Sequence, residues 1–339
     1  MDTALAFRTA QPWRELANTD YLLVDENSRG LRALTVLGNG GEQFGLQTYA
    51  ASCAPEWLFL LDEMNGMPPV NPVAVLELLE GATLELEAKA ATDARDRSRL
   101  TRVGYKPVPR ARQAWPVFRQ FRPGHFPWHI EENAAQRLLA DLRRAMRWAE
   151  LAPALNGKGR DPDSPVALRK LPAVSPDLTT ERPWTVADFH WIQLQLPPEK
   201  KPKPVMLAPD DAATWRDISR RASEWWWIDE RAQLARIVEG DDVPPYFPRF
   251  GVCLDGRTGI AHPPGTLPAA QPHGSAALAG LRAAVQATGF LPGELRTPNE
   301  FLALALGAWS EATGVPVKVQ AGAAALDEFW DMLEMFNRR

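Results

Sequence analysis

Cysteine and histidine are scarce, with two and five copies among 339 residues. So few thiols exclude a disulfide framework and a cysteine-rich zinc module. Cys53 and Cys253 are therefore predicted to be buried free thiols. No Gly-x-Ser-x-Gly motif, cysteine nucleophile signature or dinucleotide fingerprint occurs, and His190, His262 and His273 are isolated along the chain.

Long apolar runs are also missing, since none approaches the roughly 20 residues that a membrane span requires. Residues 1–8 do not join a basic segment to an apolar core, as a secretory signal would. A composition of 45% hydrophobic and 24% charged residues excludes wholesale disorder. We therefore expect a globular cytoplasmic protein without a membrane partner, long enough for two domains. The composition says nothing about oligomeric state.

The net charge of −4 conceals a strongly basic segment at residues 95–122. Nine cations stand there against Asp96 alone, and four aromatic residues are interleaved with them. A groove that holds phosphates and stacks bases uses this mixture of side chains. The predicted nucleic-acid-binding residues are Arg95, Arg97, Arg99, Arg102, Tyr105, Lys106, Arg110, Arg112, Trp115, Arg119 and Arg122. The alternative is a solvated arginine-rich loop that pairs with carboxylates of the otherwise acidic protein.

Residues 1–151 are predicted to form an α+β domain. Strands are expected at residues 20–24, 31–37, 44–49 and 83–87, because short apolar or alternating runs there are bounded by turn residues. Residues 131–151 form an amphipathic helix, with Glu131 and Glu132 at its start and arginines towards its end. Residues 152–183 lack periodicity and are rich in Pro, Asp, Ser and Gly, which predicts a linker or irregular loop.

Several motifs of this chain resemble those of an uncharacterised bacterial family that pairs two domains of unknown function. They are Trp13, the run Gly-Asn-Gly-Gly-Glu-Gln-Phe-Gly-Leu at residues 38–46, the Trp-Pro-Val-Phe to Phe-Pro-Trp stretch at residues 115–128, and Pro-Tyr-Phe-Pro at residues 245–248. The resemblance spans most of the chain. It implies no activity and no catalytic residues.

Residues 184–339 are predicted to form a mixed α/β layer. A hairpin is expected at residues 250–262, followed by a helix from Ser275 to Gly289, a strand at 294–297, a helix at 299–313, a strand at 315–319 and a helix at 324–336. Cys253 should then be buried in a strand that has neighbours on both sides. The three adjacent tryptophans at residues 225–227 fit neither period and cannot all lie on one face, so at least one is expected at a contact surface.

The order of these elements resembles the ribonuclease H-like fold, which keeps a metal-binding carboxylate at its first strand. The resemblance implies a Mg²⁺ site formed by Asp255, Glu300 and either Asp327 or Asp331. The strand at residues 294–297 ends in Thr-Pro-Asn where the second acid is expected, so Glu300 is displaced. This departure favours a domain without a working metal site.

His125 and His129 have the spacing of a zinc pair, but Pro127 lies between them and no further Cys or His stands at ligand spacing. We therefore expect no zinc. The sequence predicts a two-domain α+β protein that acts as a non-catalytic binding module for nucleic acid or a protein partner, without a cofactor. The alternative is a divergent Mg²⁺-dependent nuclease of ribonuclease H-like type.

Overall fold

The computed structural model describes residues 1–64, 77–107, 115–155, 165–198 and 203–337. The chain has the predicted α+β class and divides into two compact units. Each unit is built from three stretches of chain. Unit 1 comprises Met1–Val70, Leu78–Arg122 and Pro127–Pro197, and unit 2 comprises Asn71–Glu77, Pro123–Phe126 and Pro198–Arg339.

Unit 1 contains an eight-stranded sheet in the described part of the chain. Its strands are β1 (Leu22–Asp25), β2 (Leu31–Leu37), β3 (Gly45–Tyr49), β4 (Gly81–Glu87), β5 (Trp115–Phe121), β6 (Trp128–His129), β7 (Lys170–Val174) and β8 (His190–Gln193). They lie in the order β6-β5-β4-β3-β2-β1-β7-β8. Neighbours are antiparallel except β1 and β7, which run parallel.

In the described stretches of unit 1, the helices are α1 (Asp2–Ala10), α2 (Ala54–Met64), α3 (Ala94–Arg102) and α4 (Glu132–Leu155). Helix α4 confirms the predicted amphipathic helix and continues four residues past its expected end. Its residues Leu138, Leu142 and Trp148 are buried in one apolar cluster with Leu34 and Leu84 of the sheet. Burial of this helical stripe against one sheet face forms the core of unit 1.

Two stretches of unit 1 differ from the sequence-based expectation. The basic segment begins with helix α3, whose buried side chains are Asp96 and Leu100. Within residues 152–183, expected to be a linker or irregular loop, α4 continues to Leu155 and Lys170–Val174 forms strand β7. Leu171 and Ala173 of that strand are buried. Their burial explains why this short apolar run joins the sheet although the sequence around it is polar.

The two faces of the sheet in unit 1 carry different side chains. On β5, Phe118 points to the face that packs with α4, whereas Arg119 contacts acidic residues of α3 on the opposite face. Cross-strand partners share a face, which places His129 of β6 on the same side as Arg119. The alternation of a β-strand thus directs one row of ionisable residues away from the core.

Unit 2 contains a mixed sheet, as predicted, and its described residues supply five strands. Its strands are β9 (Arg220–Ala232), β10 (Pro248–Asp255), β11 (Gly265–Pro268), β12 (Leu291–Thr297) and β13 (Val317–Val319), in the order β11-β10-β9-β12-β13. Strand β10 is antiparallel to β9 and β11, and β12 is parallel to β9 and β13. Cys253 is fully buried in β10 between two neighbouring strands, which confirms its predicted place. The predicted return at residues 260–262 pairs back to β10 as an isolated antiparallel bridge between Ala261 and Leu254, and the longer return strand is β11.

The helices of unit 2 lie on both faces of its sheet. They are α5 (Pro209–Arg216), α6 (Ser275–Thr288), α7 (Glu300–Ala305), α8 (Gly307–Thr313) and α9 (Ala324–Asn337). Trp226 is buried with Trp309 on one face, and Trp227 is buried with Trp330 of α9 on the other. Trp225 is half-buried beneath Arg296, whose guanidinium carbon lies 4.0 Å from the centre of the indole. Strand alternation therefore accommodates all three adjacent indoles within unit 2.

Helix α6 packs against its sheet at backbone contact. A Cβ added to Gly251 of β10 would lie 1.9 Å from the carbonyl oxygen of Ala276, and one added to Gly280 would lie 2.4 Å from that of Gly251. The fully buried carboxylate of Glu230 on β9 accepts hydrogen bonds from the backbone N–H groups of Gly274 and Ala277, at 2.9 and 2.8 Å. This carboxylate satisfies orphan donors at the start of α6.

Residues 123–126 form a short outlying part of unit 2. The backbone N–H of Phe126 donates to the carbonyl of Pro245, and that of Phe247 donates to the carbonyl of Gly124. The rings of Phe126 and Phe247 stack with their centres 3.9 Å apart.

Among the described residues, no helix is both long and apolar enough to cross a membrane.

Candidate nucleic-acid interface

The predicted basic segment occupies helix α3 and strand β5 of unit 1. Arg95, Arg97, Arg99 and Arg102 lie on the helix, Lys106 and Tyr105 follow it, and Trp115 and Arg119 lie on the strand, with Arg122 directly after it. Arg110 and Arg112 lie outside the described residues. The structure therefore brings much of the predicted site onto one helix and one neighbouring strand.

Arg119 is neutralised by two acids at the start of α3. Its guanidinium donates to both oxygens of Asp96 and, at 3.1 Å, to Oδ2 of Asp93. Asp93 also caps the helix by accepting the backbone N–H of Asp96 at 2.6 Å. Burial acts to raise the pKa of Asp93, but these hydrogen bonds and the charge of Arg119 hold that pKa below its ordinary value.

Two further cations are engaged within unit 1. Arg122 forms an ion pair with Glu131. Arg97 donates to the backbone carbonyls of Lys89 and Thr92. The alternative reading, in which the segment pairs internally with carboxylates, therefore describes Arg119 and Arg122.

Three arginines share one side of α3. At about 100° per residue, Arg95, Arg99 and Arg102 fall within a sector of about 60° and span about 10 Å along the axis. Arg99 and Arg102 are exposed and have no carboxylate partner among the described residues. We call these three residues the arginine stripe. Exposed guanidinium groups at this spacing suit a series of phosphate groups.

The aromatic residue beside the stripe is Trp128 of β6. The guanidinium carbon of Arg95 lies 5.8 Å from the centre of its half-buried ring. Tyr105, which the sequence suggested as a stacking residue, is buried and packs edge-on against Trp115 at 6.1 Å. Because a buried ring cannot stack on a base, Trp128 is better placed than Tyr105 to do so.

His129 lies next to Trp128 and below the stripe. Its side chain is 10% exposed, and Nδ1 lies 3.5 Å from Oδ1 of Asp96 without an aligned hydrogen bond. Burial lowers the pKa of His129, and the positive charges of Arg99, Arg119 and Arg95 lower it further, while Asp96 opposes them. The imidazole therefore lies in an electropositive environment.

A pair of glutamates extends this row of ionisable residues along the sheet. Glu85 and Glu87 alternate along β4, next to Arg119 on β5. Burial raises the pKa of Glu85, the charge of Glu87 raises it further, and Arg119 opposes both. From β4 to α3, the charge of the side chains on this face of the sheet thus alternates between negative and positive. The arginine stripe is the positive end of this row.

The possible metal ligands do not assemble into a site. His125 belongs to unit 2 and His129 to unit 1, and the Nδ1 atom of His125 contacts the carbonyl of Pro123 at 3.0 Å. Asp255 accepts hydrogen bonds from the backbone N–H groups of Arg257 and Thr258 in the turn after β10. Among the described residues, which include Asp255, Glu300, Asp327 and Asp331, no three His, Cys, Asp or Glu side chains come together as a metal-binding group.

Sequence reasoning missed Asp93, Glu85 and Trp128 as members of this surface. Asp93 lies just before the counted segment, and its position before a helical stretch with Asp96 three residues later is the signal of an N-cap. The sequence showed Glu85 only as one polar residue in the alternating pattern of a predicted strand. Trp128 needed the pairing of β6 with β5, which the sequence does not reveal.

Residues 1–158 match a family model described as a domain of unknown function, DUF7309. The match covers the arginine stripe, Trp128, His129 and the whole chain up to the end of α4. It agrees with the resemblance of this part to an uncharacterised family. The comparison with curated proteins found no match.

Proposed function

We propose that this chain is a binding module for nucleic acid, and that unit 1 binds the phosphate backbone through the arginine stripe. The observation that supports the proposal best is the exposure of Arg99 and Arg102 on the same side of α3 as Arg95, whose guanidinium lies over the half-buried Trp128. Arginine side chains supply electrostatic affinity for phosphates, and an indole supplies a stacking surface that tolerates any base. Single-stranded nucleic acid, whose bases are free to stack, fits this combination best.

The test is binding of a fluorescent single-stranded oligonucleotide by wild type and by the triple variant Arg95→Glu, Arg99→Glu, Arg102→Glu. The variant should lose affinity on the order of a hundredfold at low salt. Its slope of log affinity against log salt should fall by about 2, because each lost contact with a single strand releases about 0.7 fewer counterions. The melting temperature should fall only slightly, since Arg99 and Arg102 are exposed and Arg95 is half-buried.

A matched control reverses three exposed arginines elsewhere in unit 1, Arg14, Arg29 and Arg137, and so makes the same change in net charge. This control should retain more of the affinity and salt dependence than the stripe variant. An equal loss of affinity in both variants would show that the effect comes from the change in net charge and not from the position of the stripe. Absence of wild-type binding at low salt would overturn the proposal and favour a protein partner.

The alternative function is a divergent metal-dependent nuclease in unit 2. A hairpin continued by parallel strands supports the resemblance to the ribonuclease H-like fold. However, β9 comes before β10 along the chain. Asp255 therefore ends the second strand of this sheet, and Asp229 is the acid on its first strand. Asp229 already accepts hydrogen bonds from Arg231 and Trp330, both at 2.9 Å, and Arg231 also contacts Asp327. These contacts weigh against a Mg²⁺ site, and loss of any Mg²⁺-dependent cleavage in Asp229→Asn would reverse that judgement.

The binding proposal extends to the rest of the chain by resemblance alone. The motif at residues 245–248 supports a second domain of unknown function in unit 2, of the kind that a bacterial family pairs with the first. A soluble cytoplasmic protein without a resident cofactor fits this role. The partner of unit 2 would be nucleic acid or another protein.

A further inference from the structure

A cavity of about 280 Å³ lies between helices α5 and α6 of unit 2. Its lining includes Asp211 and Trp215 of α5, Ile218 just after that helix, and Arg282, Val285 and Gln286 of α6. The volume is about twice the roughly 150 Å³ of an engineered cavity that binds benzene, so a ligand of about a dozen non-hydrogen atoms fits. The cavity therefore has the size of a site for a small metabolite.

The buried part of the lining is apolar. Trp215 is 3% exposed and Val285 is 6% exposed, and both belong to the apolar cluster that contains Trp309. Ile218 is half-buried and packs against the same cluster. The indoles of Trp215 and Trp309 meet edge-on with their ring centres 5.8 Å apart. The cavity thus offers a packed apolar floor to a hydrocarbon or aromatic group.

Two opposite charges lie at the rim of this cavity. Asp211 and Trp215 are four residues apart on α5 and so share a face of the helix. Arg282 of α6 donates a hydrogen bond to Oδ1 of Asp211 at 2.9 Å, and its guanidinium carbon lies 5.9 Å from the centre of the Trp215 indole. The side chains of Asp211 and Arg282 are 43% and 52% exposed. A carboxylate and a guanidinium therefore lie side by side above the apolar floor.

This ion pair leaves room for a ligand. In the described part of the chain a single hydrogen bond joins the two side chains, so Oδ2 of Asp211 and further N–H groups of Arg282 are not used between them. Neither side chain has another ion-pair partner among the described residues. Because an exposed ion pair contributes little to stability, a ligand that bridges the two charges costs the protein little of its own interaction energy.

We propose that this cavity binds a free α-amino acid with an apolar side chain of the size of leucine or phenylalanine. The ammonium group pairs with Asp211, the carboxylate pairs with Arg282, and the side chain covers Trp215 and Val285. An amino acid carries both charges on one carbon atom, which matches a carboxylate and a guanidinium already in contact. A ligand with a carboxylate alone would meet the negative charge of Asp211 without compensation. The proposal concerns unit 2 and goes beyond nucleic-acid binding by unit 1.

The test is isothermal titration calorimetry of the full chain with L-phenylalanine, L-leucine and two analogues that each lack one charge, hydrocinnamate and phenethylamine. Wild type should bind both amino acids with a Kd on the order of 100 μM. Each analogue should bind about tenfold more weakly than L-phenylalanine, the ratio expected of one charge-assisted contact. L-Glutamate should not bind measurably, because its side chain would place a charge on the apolar floor.

Two variants assign the charges to their partners. Asp211→Asn should weaken L-phenylalanine about tenfold without weakening hydrocinnamate, because the lost contact is the one with the ammonium group. Arg282→Gln should weaken L-phenylalanine similarly and spare phenethylamine. The matched control is Asp217→Asn, which removes an exposed acid that follows α5 and does not line the cavity, and it should bind as wild type does. Melting curves establish that all three variants fold.

The possible results separate this proposal from the nucleic-acid proposal. Failure of wild type to bind either amino acid at millimolar concentration would overturn the site. Hydrocinnamate that binds as tightly as L-phenylalanine would overturn the role of Asp211 and the choice of an amino acid. Binding of L-phenylalanine that is unchanged in both Asp211→Asn and Arg282→Gln would place the ligand elsewhere. None of these results depends on the arginine stripe of unit 1.

Discussion

Arg32 on β2 donates two hydrogen bonds to the carboxylate of Asp141 on α4, at 2.6 and 3.2 Å, across 109 residues of sequence. Arg144 donates to the same carboxylate at 2.8 Å and also bonds to the carbonyl of Pro176. Asp141 is fully buried and pairs with both arginines at the interface between helix and sheet, and Arg32 also pairs with Glu26. This cluster fixes α4 against the sheet of unit 1.

Asp141→Asn should therefore destabilise unit 1 by about 3 kcal/mol, because it removes the carboxylate that pairs with Arg144 and leaves Arg32 with Glu26 alone. Urea unfolding followed by circular dichroism provides the measurement. The matched control is Glu150→Gln, which breaks the exposed pair with Arg147 on the same helix and should cost less than about 0.5 kcal/mol. A cost below 1 kcal/mol for Asp141→Asn would contradict the role assigned to the cluster.

Glu85→Gln should stabilise the protein at pH 8. The pKa of Glu85 is raised by burial and by Glu87, so its ionisation is less favourable in the folded chain than in the unfolded chain. The penalty is absent below the unfolded pKa of about 4.5 and is complete above the folded pKa. The variant should gain about 0.5 kcal/mol at pH 8 and nothing at pH 4.

Thermal melts at several pH values, with the exposed Glu42→Gln as a control, test this dependence. The control should follow wild type at every pH. A gain in Glu85→Gln that is constant with pH would show that the effect is not caused by the ionisation of Glu85.

Glu230→Gln should destabilise unit 2 by about 2–3 kcal/mol at pH 7, because an amide cannot accept both backbone N–H groups and the contact from His273. Burial acts to raise the pKa of Glu230, but the hydrogen bonds from His273, Gly274 and Ala277 lower it below its ordinary value. This stability is present above the unfolded pKa of about 4.5 and is lost as the pH falls through the folded pKa.

The difference between wild type and Glu230→Gln should accordingly shrink in acid. Denaturant titrations at pH 7 and pH 3.5 measure it, and Glu328→Gln on the exposed side of α9 is the control. An equal difference at both pH values would assign the loss to packing instead of charge.

Elements with a regular apolar pattern were predictable from the sequence. The helix at α4 and the helix from Ser275 to Gly289 follow from periodicity and end signals, and Gly289 has the left-handed conformation expected of a C-cap. Helix α3 was not predicted as a helix, because only Asp96 and Leu100 are buried and no apolar stripe exists to detect. In β9, three consecutive indoles conceal the alternation that places Trp226 and Trp227 on opposite faces.

The candidate site was predictable in composition and not in geometry. The sequence identifies the arginines, but it cannot show that Arg119 turns towards Asp93 and Asp96 while Arg99 and Arg102 face outwards. That division depends on which face of β5 is covered by α4 and which by α3. Pairing of β6 with β5, which brings His129 opposite Arg119, is likewise a tertiary fact.

The interleaving of the two units along the chain constrains how the protein can fold as it leaves the ribosome. Gly124 and Phe126 emerge early, yet their hydrogen-bonding partners Pro245 and Phe247 are synthesised about 120 residues later. Until then, the backbone groups of residues 123–126 that pair in unit 2 have only water or a chaperone to contact. A fragment that stops at Pro197 would contain this segment without its partners, so a single cut in the gene cannot yield both units intact.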